Sequence, residues 1–178
     1  RDVERSRGLG DVYKRQSMRN ITVSTCGVVP RIYELMNLNL QLTLTISLHA
    51  PNDEIRSNTM PINNKYKIDE LLAACRKYGE KTGRRVSFEY TLIKDVNDSK
   101  ENALELAARL KGMNAHVNLI PVNDVKERGN IKSSKKAILN FQNILKKNGI
   151  NATIRRTLGA DINASCGQLR RLKNRGEN

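Results

Sequence analysis

LTLTISLHAPND, residues 42–53, holds the pattern that decides the fold. Leu42–Leu48 is β-branched and apolar along most of its length, then gives way to a polar stretch, which is how a buried strand reads. Ser47 and His49 stand where that strand runs out, at its C-terminal end.

Working outward, short β-rich runs alternate with longer helical ones. Strands are expected at Ile21–Thr25, Val86–Ile93, His116–Val122 and Ala152–Arg156. Helices are expected at Val28–Met36, Ile68–Lys81, Ser99–Lys111 and Lys135–Asn148. Pro30 is tolerated in a first turn, where no intrahelical N–H is needed. Ile68, Leu71, Leu72, Cys75 and Tyr78 recur at helical spacing, and Gly83 stops that helix. In the next helix Leu104, Ala107, Ala108 and Leu110 are expected to point inward, and Gly149 is a natural C′ cap for the last one. The stretch 50–65 reads as a polar bridge.

Five strands separated by four helices, with no tandem hairpins, predict a parallel α/β sheet. Such a sheet is either open and doubly wound or part of a β/α barrel. No GxGxxG or phosphate-binding loop follows the first strand, so a nucleotide-binding open sheet loses support. In a barrel, function collects at the C-terminal ends of strands. Ser24, Ser47, His49, Glu89 and Asn123 occupy those ends. The expected fold is therefore an incomplete parallel β/α barrel, truncated at its N-terminal side. Residues 1–17 carry no periodicity and are expected to be a disordered leader, or sequence foreign to a domain that begins near Met18.

Thirty-two Lys and Arg against eighteen Asp and Glu give a formal charge of +14. That surplus favours a polyanionic partner, because each neutralised phosphate releases condensed counterions. Aromatic residues make up only 4 % of the chain and there is no Trp, which disfavours a stacking platform for single strands. RNA recognition by phosphate contacts and pocket shape is expected instead. No apolar run reaches the roughly 18 residues that span a bilayer, and residues 1–16 hold no apolar block typical of a secretory signal. A cytoplasmic location, no membrane partner and a monomeric state are the expectations.

Cys26, Cys75 and Cys166 are too far apart in sequence for a zinc knuckle or a close-set iron–sulfur site. Cys75 sits on an apolar periodic face and reads as core. Cys26 is a rim residue with no partner to activate it. Cys166 lies in ADINASCGQL, among small and polar residues where a thiol can reach a neighbouring site, although a loop cysteine is commonly inert. A lone His49 with no second histidine nearby does not suggest a metal. His116 opens its strand at the opposite end and reads as structural. Arg155 and Arg156 end the last strand, where a guanidinium can clamp phosphate or simply be solvated.

Five segments carry a resemblance: NITVSTCGVVPRIYEL (20–35), ISLHAPNDEIRSNTMPINNKY (46–66), FEYTLIKDVND (88–98), HVNLIPVN (116–123) and TIRRTLGADINASCGQLRR (153–171). Their combination and order resemble the RlmN family, radical S-adenosylmethionine methyltransferases that modify adenine C2 in 23S ribosomal RNA and some transfer RNAs. The resemblance implies a partial β/α barrel over residues 18–160, and a catalytic-cysteine loop with a basic tail over 161–178. It implies that Ser24, the Ser47-Leu48-His49 segment and Asn123 bind S-adenosylmethionine. Cys166 matches the cysteine that becomes S-methylcysteine; its methyl carbon, after loss of a hydrogen to a 5′-deoxyadenosyl radical, adds to C2. The family's cofactors are S-adenosylmethionine and a [4Fe–4S] cluster fed by an electron donor, and its partner is RNA. The CxxxCxxC cluster motif is not in this sequence, nor is the family's second catalytic cysteine, so the chain alone is expected to bind no cluster and not to turn over. The related adenine-C8 enzyme of the antibiotic-resistance type (Cfr), and a non-catalytic basic RNA-binding α/β domain, are the competing readings.

Overall fold

A computed structural model describes residues 18–122 and 133–155. The expectations for residues 1–17, Asn123, Arg156, Cys166 and the 161–178 tail lie outside the described residues.

Among the described residues five strands form one sheet: β1 (Thr22–Thr25), β2 (Thr43–Ser47), β3 (Val86–Leu92), β4 (Ala115–Pro121) and β5 (Asn151–Ile154). Every pairing is parallel and the spatial order is β1-β2-β3-β4-β5. A doubly wound sheet reverses its strand order at a switch point. This sheet has no reversal, so successive crossovers of one hand carry the helices to one side, as in a barrel wall. The connecting helices are α1 (Val29–Asn37), α2 (Asp53–Thr59), α3 (Ile68–Thr82), α4 (Lys100–Leu110) and α5 (Lys135–Lys147). α1 packs on α3, and α4 on α5.

The register stacks apolar residues in layers: Leu44 beside Val86 beside Ala115, and Ile46 beside Phe88 beside Val117. All six are buried and join the helices in one core, with Tyr90 against Phe141 at 5.1 Å between ring centroids. The alternate positions are polar except for Ile120, which lies beside Thr91. Thr43, Thr45 and Ser47 on β2, Ser87, Glu89 and Thr91 on β3, and His116 and Asn118 on β4 share the face turned away from the core. A parallel sheet is ordinarily apolar on both faces. One polar face is what a barrel lumen holding a polar ligand needs.

Two expectations change. The stretch 50–65, expected to be a bridge, contains α2 and a 3-10 turn at Pro61–Asn64. This short helix has no apolar stripe, so periodicity cannot find it. Its signal is local: the Asn52 side chain accepts from the Ile55 N–H, and Asp53 and Glu54 fill the first turn, where the helix dipole favours anions. In α4 the buried residues are Ala103, Leu106, Ala107 and Leu110, while Leu104 is 43 % exposed and Ala108 is exposed. The stripe is rotated by one residue from the expected one, because Ala107 and Leu110 belong equally to either phase. A reciprocal capping box between Ser99 and Asn102 fixes the helix start. Gly149 does cap α5 as expected: it adopts φ 78°, and the N–H groups of Gly149 and Ile150 donate back to Lys146 and Leu145.

Candidate functional site

The site is the rim formed by the C-terminal ends of β1, β2 and β3. Ser47 ends β2 directly opposite Glu89, and its Oγ lies 3.5 Å from Glu89 Oε2, the long limit of a hydrogen bond. Ser24 is exposed on β1 opposite Thr45, on the same polar face and one layer further from the rim. The Leu48 side chain is fully buried, so Leu48 can offer a ligand only its backbone. The N–H groups of Leu48 and His49 both donate to the Glu89 carbonyl, at 3.0 and 3.2 Å.

His49 is the most constrained residue of the rim. Its backbone takes φ 58°, in the left-handed region that is uncommon for residues carrying a side chain and that its surroundings enforce here. The enforcement is visible: Asn97 Nδ2 donates to the His49 carbonyl at 2.8 Å, and the Thr91 N–H donates to His49 Nδ1 at 3.1 Å. Burial, reinforced by the nearby positive charge of Arg56, pushes the imidazole down to about 4. The ring is therefore neutral near pH 7. With Nδ1 accepting, its proton sits on Nε2 as a hydrogen-bond donor.

Three residues that the sequence does not mark build this geometry. Asn97 is fully buried, donates also to the Thr91 carbonyl at 2.8 Å and accepts from the Ile93 N–H at 2.8 Å. The only sequence signal is the Asx-rich turn KDVND after a strand. Arg56, on α2, is fully buried, and its Nη2 donates to the carbonyls of Cys26 at 2.7 Å and Ser47 at 3.4 Å. Nη1 donates to Asn63 Oδ1 at 3.2 Å, while Asn63 Nδ2 reaches Asp53 Oδ1 and Ser57 Oγ. Nothing in DEIRSNT distinguishes this arginine from a solvated one.

Cys26 is exposed, whereas Cys75 is fully buried under the sheet and its thiol is pushed up to about 12 by desolvation. His116 stands low in the sheet, with Nε2 2.9 Å from Thr153 Oγ1, apart from the rim. Arg155 is exposed and its backbone N–H continues the β5 ladder to Leu119 at 2.8 Å. Among the described residues no group of three or more His, Cys, Asp and Glu is arranged to hold a metal. No helix among them is long and apolar enough to cross a membrane.

Comparison with known proteins agrees with this architecture. The model of the Radical SAM superfamily matches residues 3–107. The chain is 60 % identical over 154 residues to a protein of Lachnospira eligens named "Probable dual-specificity RNA methyltransferase RlmN", covering 86 % of this chain and 44 % of that one. A protein of the same name from Clostridium botulinum (strain Eklund 17B) is 61 % identical over 153 residues, again 86 % of this chain and 44 % of the relative. The chain thus spans less than half the length of these relatives. The crystal structure of a radical SAM methyltransferase from Sphaerobacter thermophilus superposes with a TM-score of 0.81 at 51 % identity, over 85 % of this chain and 45 % of that one. A domain of pyruvate-formate lyase-activating enzyme from Bacteroides vulgatus shares the fold, with a TM-score of 0.60 at 20 % identity, over 76 % of this chain and 80 % of that one. With its singly wound parallel sheet, its polar rim and a family match over more than half its length, the chain belongs to the radical SAM superfamily.

Proposed function

We propose that this chain is the C-terminal part of an RNA methyltransferase that delivers a carbon from S-adenosylmethionine to C2 of adenine, in 23S ribosomal RNA and in transfer RNA, through Cys166. The observation that supports this reading most is 60 % identity, over 86 % of the chain, to proteins named RNA methyltransferases.

The rim residues fit S-adenosylmethionine. Hydroxyls of Ser24 and Ser47 and the neutral His49 suit adenine nitrogens and ribose hydroxyls, and the Glu89 carboxylate suits a cationic ammonium or sulfonium group. Asn123, which the resemblance adds as a further amide ligand, lies outside the described residues. A [4Fe–4S] cluster does not fit the cysteines of this chain, because Cys75 is buried in the core, 49 residues in sequence from Cys26 and 91 from Cys166. When bound in the longer protein, S-adenosylmethionine and the reduced cluster supply a methyl group and a hydrogen-abstracting carbon radical.

Cys166 then has one task before the RNA is touched. Its thiolate would attack the methyl carbon of S-adenosylmethionine in an ordinary two-electron substitution, with S-adenosylhomocysteine leaving, and so become a thioether. One hydrogen atom of that carbon would pass to a 5′-deoxyadenosyl radical, which becomes 5′-deoxyadenosine and leaves the carbon radical on the Cys166 sulfur. Adenine C2 is electron-poor and does not attack an electrophilic methyl, so a polar transfer fails where a carbon radical on the Cys166 side chain can add. The adduct would then return one electron to the cluster and lose the C2 proton, and attack of the family's second catalytic cysteine on the Cys166 sulfur would break the carbon–sulfur bond, leaving a disulfide and the methylated base. The basic surplus of the chain serves the RNA backbone.

The test joins residues 19–178 to the N-terminal portion of the Lachnospira eligens relative and analyses nucleosides from a methylated transcript. The reading expects 2-methyladenosine, abolished by Cys166→Ala. An 8-methyladenosine product assigns the chain to the C8 enzymes. Methylation that survives Cys166→Ala overturns the role of Cys166.

A further inference from the structure

We propose that Arg56 is a positioning residue: its buried guanidinium sets the separation of the β1 and β2 ends, and with it the distances at which Ser24, Ser47 and His49 address one ligand. This deepens the cofactor reading above and rests on it.

The backbone ladder between β1 and β2 has its last registered pair at Thr25 and Ile46. The next rung consists of Cys26 and Ser47. There a single atom, Arg56 Nη2, takes the carbonyls of both residues. The guanidinium replaces the ladder where the rim begins, and it comes from α2 rather than from either strand. Its other arm is anchored on Asn63, which Asp53 and Ser57 hold in turn. Asp53 also accepts from the Ile68 N–H, so the clamp is tied to the start of α3.

A second observation points the same way. Gly27 sits directly on the clamp with φ 105°, and a Cβ there would lie 2.8 Å from Leu71 Cδ2 and 3.2 Å from Arg56 Nη2. The rim loop after β1 is pressed against the guanidinium, with no room for a side chain between them. Among the described residues no carboxylate forms an ion pair with Arg56, although burying an ion is costly. A merely structural role is met more cheaply by an apolar residue. The charge instead holds two carbonyl oxygens together and lies close enough to His49 to disfavour a protonated imidazole.

The test compares wild type and Arg56→Lys in the joined protein described above. Lysine keeps charge and length but is a single point donor, which cannot span both carbonyls and Asn63. Binding of S-adenosylhomocysteine is measured by calorimetry, and amide hydrogen exchange by mass spectrometry. The expected result is binding weakened at least about tenfold. Faster exchange is expected only at 26–28 and 47–49, with Phe88 and its neighbours still protected. Unchanged binding overturns the proposal whatever the exchange shows. Loss of protection across the whole sheet also overturns it, because Arg56 is then a general stabiliser. A wild-type protein that binds no ligand counts against the cofactor reading itself, and local exchange then decides alone whether Arg56 sets the strand ends.

Discussion

The side-chain amide of Asn97 donates to the backbone carbonyl of His49 at 2.8 Å, joining the loop after β3 to the end of β2 across 48 residues of sequence. The same amide binds the Thr91 carbonyl, and Thr91 in turn donates to the His49 ring. One buried asparagine therefore fixes both the backbone and the imidazole of the central rim residue. Asn97→Asp retains the shape and loses both donors. It is expected to cost about 2–4 kcal/mol of folding stability, since buried carbonyls lose their partners and a carboxylate is buried. Urea unfolding monitored by circular dichroism measures this, and a cost under about 0.5 kcal/mol contradicts it.

His49 makes stability pH-dependent in a defined window. An unfolded histidine takes a proton near 6.5, whereas the folded ring resists until about 4. The contribution is fully present above 6.5 and is lost as the pH falls toward about 4, below which both states are protonated. The gap corresponds to roughly 3 kcal/mol at most. The sequence contains only two histidines, so NMR can follow each ring. The expectation is a His49 ring protonated on Nε2 alone down to about pH 4. A His49 midpoint above 6 removes this account of the rim.

Thiol reactivity separates Cys26 from Cys75. Cys26 is exposed, and Cys75 is buried with its thiol near 12, so at pH 8 roughly one Cys75 in ten thousand is ionised. Maleimide labelling of the native protein followed by peptide mapping is expected to modify Cys26 at least about a hundredfold faster. Addition of denaturant equalises the two. Comparable native rates contradict the placement of Cys75 in the core.

Gly27→Ala introduces a methyl group against Leu71 at a backbone angle that alanine resists. A loss of about 2–3 kcal/mol is expected, with a fall of several degrees in Tm by calorimetry. Gly83→Ala is the control: its φ is also positive, but nothing lies within 4 Å of the added carbon, so it bears only the backbone cost, about 1 kcal/mol. Equal effects at the two positions contradict a packed clamp beneath the rim loop.

The sheet was legible because each strand is a short β-rich run set between longer stretches of helical spacing, as LTLTISL shows. Absence of a nucleotide-binding loop after β1 pointed to a barrel, and the unreversed strand order agrees. Helix α2 was hidden because it buries almost nothing apolar, and the α4 stripe was misphased because alanines and leucines occur on both sides of it. At the rim, Glu89, expected at a strand end, sits in the middle of β3 opposite Ser47, whereas Ser47 and His49 could be named from position alone. Arg56 and Asn97 could not, since their roles arise from backbone carbonyls brought together by folding. A buried arginine on a polar helix carries no periodic signature.

Everything proposed for the reaction converges on one sulfur atom. The direct measurement is peptide mass spectrometry of Cys166 in the joined protein, expressed with its cluster and purified without oxygen. The account predicts a Cys166 peptide heavier by one methyl group, with Cys26 and Cys75 unmodified. An unmodified Cys166 in protein shown to hold both cluster and S-adenosylmethionine contradicts the methyl-carrier mechanism.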